Sequence, residues 1–307
     1  MPSNLATWQS RPVPDLSLSP SPSPSEEGLV ERLTVRRYLG EHGDRDAARA
    51  AAAAQVERLR DRSRLLEVRE DGVRRGEAWV VQQGDDLAVI DVALDDVALA
   101  PALRDALLDL ARAERRSRLT VTVSPGDPGS EALVADGGFE TFATQMRLDL
   151  DVEPPAEDVV VLRPMGQERY NEWIQGQVAE YAEARQRSGE SAERAREVSE
   201  QQHAELLPDG LRSAGHHIFE GVAGEEVVGL LWLSTERPMV FVYDVVVEEA
   251  HRGRGHGAGI MRAGARWALD HGAHAIGLNV FGYNDVARRL YDRLGYQVTE
   301  NFVARTP

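Results

Sequence analysis

The sequence predicts an α/β (α+β) protein assembled from two copies of one fold, and three observations lead there. The first is an internal repeat. Gly229 is followed three residues later by Trp232 and fifteen later by Asp244; Gly76 is followed at the same intervals by Trp79 and Asp91. The text around those aspartates reads V-I-D-V-A-L-D-D (Val89 to Asp96) and V-Y-D-V-V-V-E-E (Val242 to Glu249). Val123 precedes Gly138 by fifteen residues and Val280 precedes Gly295 by fifteen, and the glycines lead into Phe139 and Tyr296. Registers that agree without a gap mark duplicated units. The second observation is the alternation of short β-branched apolar runs with segments of helical period. The third is length, since 307 residues hold roughly two domains of about 150 residues each.

Taken in order, the chain opens without a targeting signal, because Met1 to Trp8 has neither a basic region nor a sustained apolar core. Leu18 to Ser25 alternates Pro with Ser, a composition expected to stay extended and solvated. Residues 1–32 are therefore expected to form a disordered tail, with folded structure beginning near Leu33. The first copy spans 33–151. Asp151 to Glu157 is acidic and carries two prolines, so 152–158 reads as a linker, and 159–307 forms the second copy. There, Tyr170, Trp173, Ile174, Gln177, Val178 and Tyr181 make an apolar helical stripe, expected to be mostly core, and Ala192 to Leu206 a charged helix. Val240 to Val247 has the continuous apolar character of a strand buried on both faces. Ile260, Gly264, Trp267, Ala268 and His271 share a helix face closed by Gly272. Ala275 to Val280 reads as a further strand and Val286 to Arg293 as a short helix.

Composition narrows the function classes. There are 35 basic residues, all Arg, against 51 acidic ones, a formal charge of -16. That field disfavours nucleic-acid backbones and attracts small cations; it also serves solubility alone. No run approaches the roughly 18 apolar residues of a membrane span. With no Cys, disulfides, thiolate metal sites and a cysteine nucleophile are ruled out together, and the cytoplasm is the default location. His216 and His217 lack ligand spacing with carboxylates, so no metal site is expected.

The copies differ at one place. Between Asp244 and Val280 the second copy carries H-R-G-R-G-H-G (His251 to Gly257); the first copy is four residues shorter over the matching stretch and reads V-A-L-A-P (Val97 to Pro101). Glycines between a strand and a helix let successive N–H groups converge on an anion, or they form a tight packing turn. Walker and dinucleotide fingerprints are both absent.

Arg252, Gly253, Arg254, Gly255, His256 and Gly257 fit the pattern [Q/R]-x-x-G-x-[G/A] after a central strand, and Asn284, Ala287, Leu290, Tyr291, Gly295 and Tyr296 form a second block. In these the second half resembles the GNAT superfamily of acetyl-CoA-dependent N-acetyltransferases. The first half resembles it only as a worn copy, with Val134 where Tyr291 stands and Asp127 where Asn284 stands. The resemblance implies two tandem domains, each a mixed, mostly antiparallel sheet flanked by helices, of which the first is degenerate. It implies that Arg252 to Gly257 hold the cofactor's pyrophosphate. It further implies that the strand Asp244 to Val247 splays from its neighbour, freeing main-chain groups of Val245 and Val247 with Val246 between them. Asn279, Asn284 and Ala287 would line the cofactor, although each also suits a turn or strand end.

Tyr291 matches the family's general acid, or is an aromatic that packs a helix. Asp244 lies where a general base would, yet its twin Asp91 persists in the silent copy, so a structural role or a water chain stays open. Tyr243, with Ile90 as its counterpart, and Tyr181 and Glu183 on the long insertion are candidate acceptor contacts. The implied activity is acetyl transfer to a primary amine of a small, cationic molecule by direct attack in a ternary complex, with no metal, by a monomer or homodimer. The alternatives are a non-catalytic acyl-CoA sensor or scaffold and a mycothiol-synthase-like tandem acetyltransferase.

Overall fold

The two copies fold with the same strand register. A computed structural model describes residues 16–21, 26–151 and 160–307. The first half contains β1 (Leu16–Pro20), α1 (Glu26–Leu33), a π-helical segment (Thr34–Tyr38), α2 (Leu39–His42), α3 (Arg45–Leu59), β2 (Ser63–Glu70), β3 (Val73–Gln83), β4 (Asp86–Leu94), α4 (Ala100–Ala113), β5 (Arg118–Val123), α5 (Pro128–Val134) and β6 (Glu140–Asp149). The second contains β7 (Val161–Pro164), α6 (Gln167–Arg187), α7 (Ala192–Leu206), β8 (His216–Ala223), β9 (Glu226–Ser234), β10 (Val240–Val247), α8 (His256–Asp270), β11 (Ala275–Phe281), α9 (Asp285–Arg293) and β12 (Gln297–Arg305).

Trp79 pairs with Asp91 and Gly76 with Leu94; in the second half Trp232 pairs with Asp244 and Gly229 with Val247. A register shift interrupts both ladders beside the Trp–Asp pair. The repeated glycine has one cause in both halves. A Cβ on Gly76 would collide with the carbonyl oxygen of Ala93, and one on Gly229 with that of Val246. Close approach of the next strand leaves no room for a side chain.

The sheets of the two halves are one. The strand order is β1-β2-β3-β4-β5-β12-β6-β11-β10-β9-β8-β7, so each half gives its last strand to the other. Val123 of β5 pairs with Asn301 of β12, while Val280 of β11 pairs with Thr144 of β6. Where the exchanged strands meet, Thr144 Oγ1 donates to Asn301 Oδ1 at 3.0 Å. Two separate sheets were expected; exchange replaces them because equivalent strands offer equivalent edges.

Helices cover both faces. In the first half Leu103, Leu107 and Leu108 of α4 pack on Val68, Val80 and Val89, and Leu29, Leu33 and Val56 pack on Trp79 and Val81 behind them. In the second half Ile260, Met261 and Ala265 of α8 pack on Leu231, Leu233 and Val242, and Tyr170 of α6 packs with Leu230 and Trp232.

Two further expectations are corrected. Folded structure begins before Leu33: Leu16 and Leu18 pack on the core as β1 pairs with β2, and Pro20 is accommodated at the sheet edge. Leu29, Val30 and Leu33 bury one face of α1. The rest of the expected tail, and all of the linker at 152–158, lie outside the described residues. Finally, β10 is buried only over Val240–Val242; Tyr243 to Val247 are half-buried because pairing with β11 ends at Val242.

Candidate active site

Parallel pairing of β10 with β11 stops at Val242 and Leu278. Beyond it the strands diverge, and Tyr243 to Val247 on one wall face Asn279 to Phe281 on the other. The same divergence occurs in the first half, where β4 and β5 pair only as far as Val89 and Val121.

Asp244 sits at the fork. Its Oδ2 is buried and has no hydrogen-bond partner among the described residues. Burial pushes its pKa up to about 7, and the charge of Glu180 adds to the rise; the Val245 N–H and the side chains of Trp173 and Gln177 oppose it. Burial outweighs that opposition, and neither Asp244 Oδ2 nor Trp173 Nε1 completes a hydrogen bond among the described residues. A carboxyl with such a pKa is half-ionised near neutrality and can accept a proton there.

Tyr291, on α9, is 5 % exposed. Burial raises its pKa, and the nearby charge of Asp244 raises it further. The two sequence-derived catalytic candidates thus lie within electrostatic reach of each other. The ring of Tyr296 stands 5.7 Å from that of Tyr291.

The glycine loop lies past the end of β10. Gly253 and Gly255 have φ of +75° and +85°, and nothing lies within 4 Å of where their Cβ atoms would be. They are glycine for backbone reasons, and the mouth they form is open. Gly257 is closer-set, with Leu290 Cδ2 at 3.3 Å and Val247 Cγ2 at 3.4 Å of a built Cβ. Gly255 is the N-cap of α8, and the first turn from His256 has no side-chain cap. Arg254 is exposed, whereas Arg252 Nε donates to the Val247 carbonyl at 3.1 Å. The expectation of free main-chain groups at Val247 is corrected accordingly: its carbonyl is engaged because the guanidinium folds back over the strand end.

Asn279 is exposed on the far wall. Asn284 caps α9, its Oδ1 accepting from the Ala287 N–H at 3.1 Å. Its twin Asp127 does the same for α5, accepting from the Ser130 N–H at 3.0 Å. Capping explains both residues without a ligand.

Above the fork lies an aromatic array. Tyr243 stacks on Trp232 with ring centroids 4.9 Å apart and meets His216 at 5.6 Å. Trp232 Nε1 donates to His216 Nδ1 at 3.0 Å. Tyr181 touches Phe281 at 6.2 Å, its hydroxyl accepts from Arg185 Nη1, and Phe281 stacks on Tyr283. Glu183 is exposed and makes none of these contacts. Sequence reasoning assigned the α6 stripe to core and missed Glu180. The signal was available: Trp173, Gln177 and Glu180 at i, i+4 and i+7 share one helix face.

Two divergent central strands, an open glycine turn leading into a helix, and a buried carboxyl whose charge acts on a buried phenol at the fork suit an acyl-transferring enzyme. Comparison with known proteins agrees. The model of the acetyltransferase (GNAT) family matches residues 177–296. The uncharacterised N-acetyltransferase YycN of Bacillus subtilis is 31% identical over 147 residues, covering 46% of this chain and 94% of the relative. A mycothiol acetyltransferase of Corynebacterium glutamicum is 37% identical over 81 residues, 26% of this chain and 28% of its own length. The crystal structure of a GCN5-related N-acetyltransferase from Sphaerobacter thermophilus matches 95% of this chain and 96% of its own, at 18% identity and a TM-score of 0.58. The chain belongs to the GNAT acetyltransferase family, with two such folds in tandem. No helix among the described residues is long and apolar enough to cross a membrane.

Proposed function

We propose that the second half transfers the acetyl group of acetyl-CoA to a primary amine by direct attack in a ternary complex. The observation that carries this reading is the buried, unpaired Asp244 Oδ2 at the fork, where the first half has a fully paired aspartate.

The fit to acetyl-CoA rests on the open, positive-φ turn at Gly253 and Gly255 beside the uncapped first turn of α8, with Arg252 and Arg254 at its mouth. Acetyl-CoA supplies the activated acyl group. The N–H groups of Gly255 to Gly257 receive the pyrophosphate, Arg252 releases Val247 to meet it, and Val245 and Val246 with Asn279, Asn284 and Ala287 line the arm. A main-chain N–H on the diverging stretch of β10 stabilises the acyl oxygen as it gains charge. Asp244 takes the proton from the ammonium so that the nitrogen can attack. Tyr291 gives its proton to the leaving sulfur. The two steps are coupled. The charge of Asp244 is one cause of the raised pKa of Tyr291, so neutralising Asp244 makes the phenol a better acid when it is needed.

The test is initial-rate kinetics of thiol release over a panel of primary amines. Intersecting double-reciprocal lines and a kcat/KM that rises with pH through about 7 are expected. Cofactor binding without turnover over the whole panel would refute the reading.

A further inference from the structure

Helix α6 runs along the fork and carries opposite charges two turns apart. The charge of Glu180 reaches Asp244, and Glu180 has no ion-pair partner among the described residues. Arg187 lies seven residues further on, which returns it to the same helix face. Its guanidinium carbon sits 4.8 Å over the ring of Tyr283.

Arg187 has no acidic partner among the described residues, although the chain has 51 acidic residues and Glu183 stands at the i, i+4 spacing that favours pairing. Tyr283, beneath it, is 43% exposed. Between the two charges the surface is aromatic: Tyr181 contacts Phe281, and Phe281 stacks on Tyr283 with their planes 9° apart. At the other end, the buried Oδ2 of Asp244 has no partner. The site thus offers a pair of carboxylates without a cation, an aromatic floor, and a guanidinium without an anion.

We infer that the acceptor is bipolar: its amine lies between Asp244 and Glu180, and a carboxylate or similar anion about 10 Å away, the rise of seven helical residues, is held by Arg187 over the Phe281–Tyr283 stack. The inference rests on the acetyltransferase reading above and narrows its substrate class. An ammonium answers both carboxylates at the fork. The planar guanidinium, stacked on a ring and weakly hydrated, is suited to a carboxylate in a partly exposed setting. Beside this floor Arg185 is paired with Glu190, whereas among the described residues Arg187 is not paired, so Arg187 sets the acceptor's orientation.

The experiment compares acetylation of straight-chain ω-amino acids with that of n-alkylamines of matched length. For the wild type, kcat/KM should favour the amino acid by about tenfold or more, with the preference peaking near eight carbons, where an extended chain spans about 10 Å at roughly 1.25 Å per bond. In Arg187→Gln the ratio should fall to about one, and Arg187→Lys should restore part of it. Acetylation of alkylamines with no preference for the amino acids, or a preference that survives in Arg187→Gln, overturns the bipolar acceptor and leaves the acetyltransferase reading standing. Acetylation of neither series overturns the bipolar acceptor, and only cofactor binding without turnover over the whole panel of primary amines overturns the acetyltransferase reading as well.

Discussion

Asp91 and Asp244 occupy the same register position, each opposite a tryptophan and each at a fork between parallel strands, yet their surroundings are opposite. Asp91 accepts from Arg32 Nε and Arg36 Nη1, both at 2.7 Å. Arg36 also reaches the Val92 carbonyl at 3.3 Å and the Asp127 carboxylate at 2.7 Å. Burial raises the pKa of Asp91, and the two guanidiniums pull against that rise. The residual cavity among Arg36, Asp91, Asp127 and Ser130 is ≈ 10 Å³, at most one water. At Asp244 the covering helix presents Trp173 and Gln177 instead of arginines, and Oδ2 is left without a hydrogen-bond partner among the described residues. The backbone makes a fork in both halves. Side chains on the covering helix decide whether it is filled or available.

The largest test separates the halves. A fragment of residues 159–307 would lose β6 from the edge of β11, exposing the seven residues of that strand. An exposed edge recruits another strand, and the exchange already built into the chain offers one: β12 of a second copy. The fragment should be dimeric or aggregated. A folded monomer in sedimentation would break the claim that the halves depend on each other.

Next comes Asp244→Asn. If Asp244 is the base, kcat/KM should fall by ~10²–10⁴-fold and lose its rise through pH 7, whereas Asp91→Asn should leave that rise in place. Equal losses in the twins would mean that the aspartate acts only on the fold. Tyr291→Phe removes the proton and keeps the ring. It should lower kcat by ~10²-fold with little change in cofactor affinity; near-normal turnover with chemistry rate-limiting would strike Tyr291 from the catalytic residues.

The smallest effect is on stability, and there the twins should differ in sign. Asp244 has a folded pKa near 7 against an ordinary value of 3.8, so the folded protein binds more protons between those values and stability falls as pH rises through them. Asp244→Asn should therefore match the wild type below about pH 4 and exceed it by on the order of 2–4 kcal/mol above pH 7. Asp91→Asn leaves Arg32 and Arg36 facing a neutral group and should cost about 2 kcal/mol, less than for a fully buried pair because both guanidiniums reach solvent. Urea unfolding at pH 8 reads both, and stability changes of the same sign would undo the comparison.

Much of this was legible in the text. The repeat fixed which residues are twins, and the structure keeps those registers to the residue at Trp79–Asp91 and Trp232–Asp244. The spans Val240–Val247 and Ala192–Leu206 coincide with β10 and α7, because their periodicity and bounding turns are local. Tyr291 and Asp244 were singled out before their proximity was visible. Glu180 was not, although it shares a helix face with Trp173 and Gln177, because an exposed carboxylate gains a role only once α6 is laid over the fork. The edge strand at Leu16 was hidden by neighbouring prolines, because two leucines need a core to pack on before they read as a strand.

The sequence by itself determined the duplication, the loss of the glycine loop from one copy and the residue types available at each fork, all of which are properties of order along the chain. Only the tertiary structure decided that the last strands change places, that Arg32 and Arg36 close one fork, and that Asp244 Oδ2 is left without a partner in the other. The reason is physical. Strand exchange and ion pairing join residues far apart in sequence, and equivalent edges in a repeat offer the same hydrogen bonds to either copy. Covalent order leaves that choice open, and packing across the shared sheet settles it.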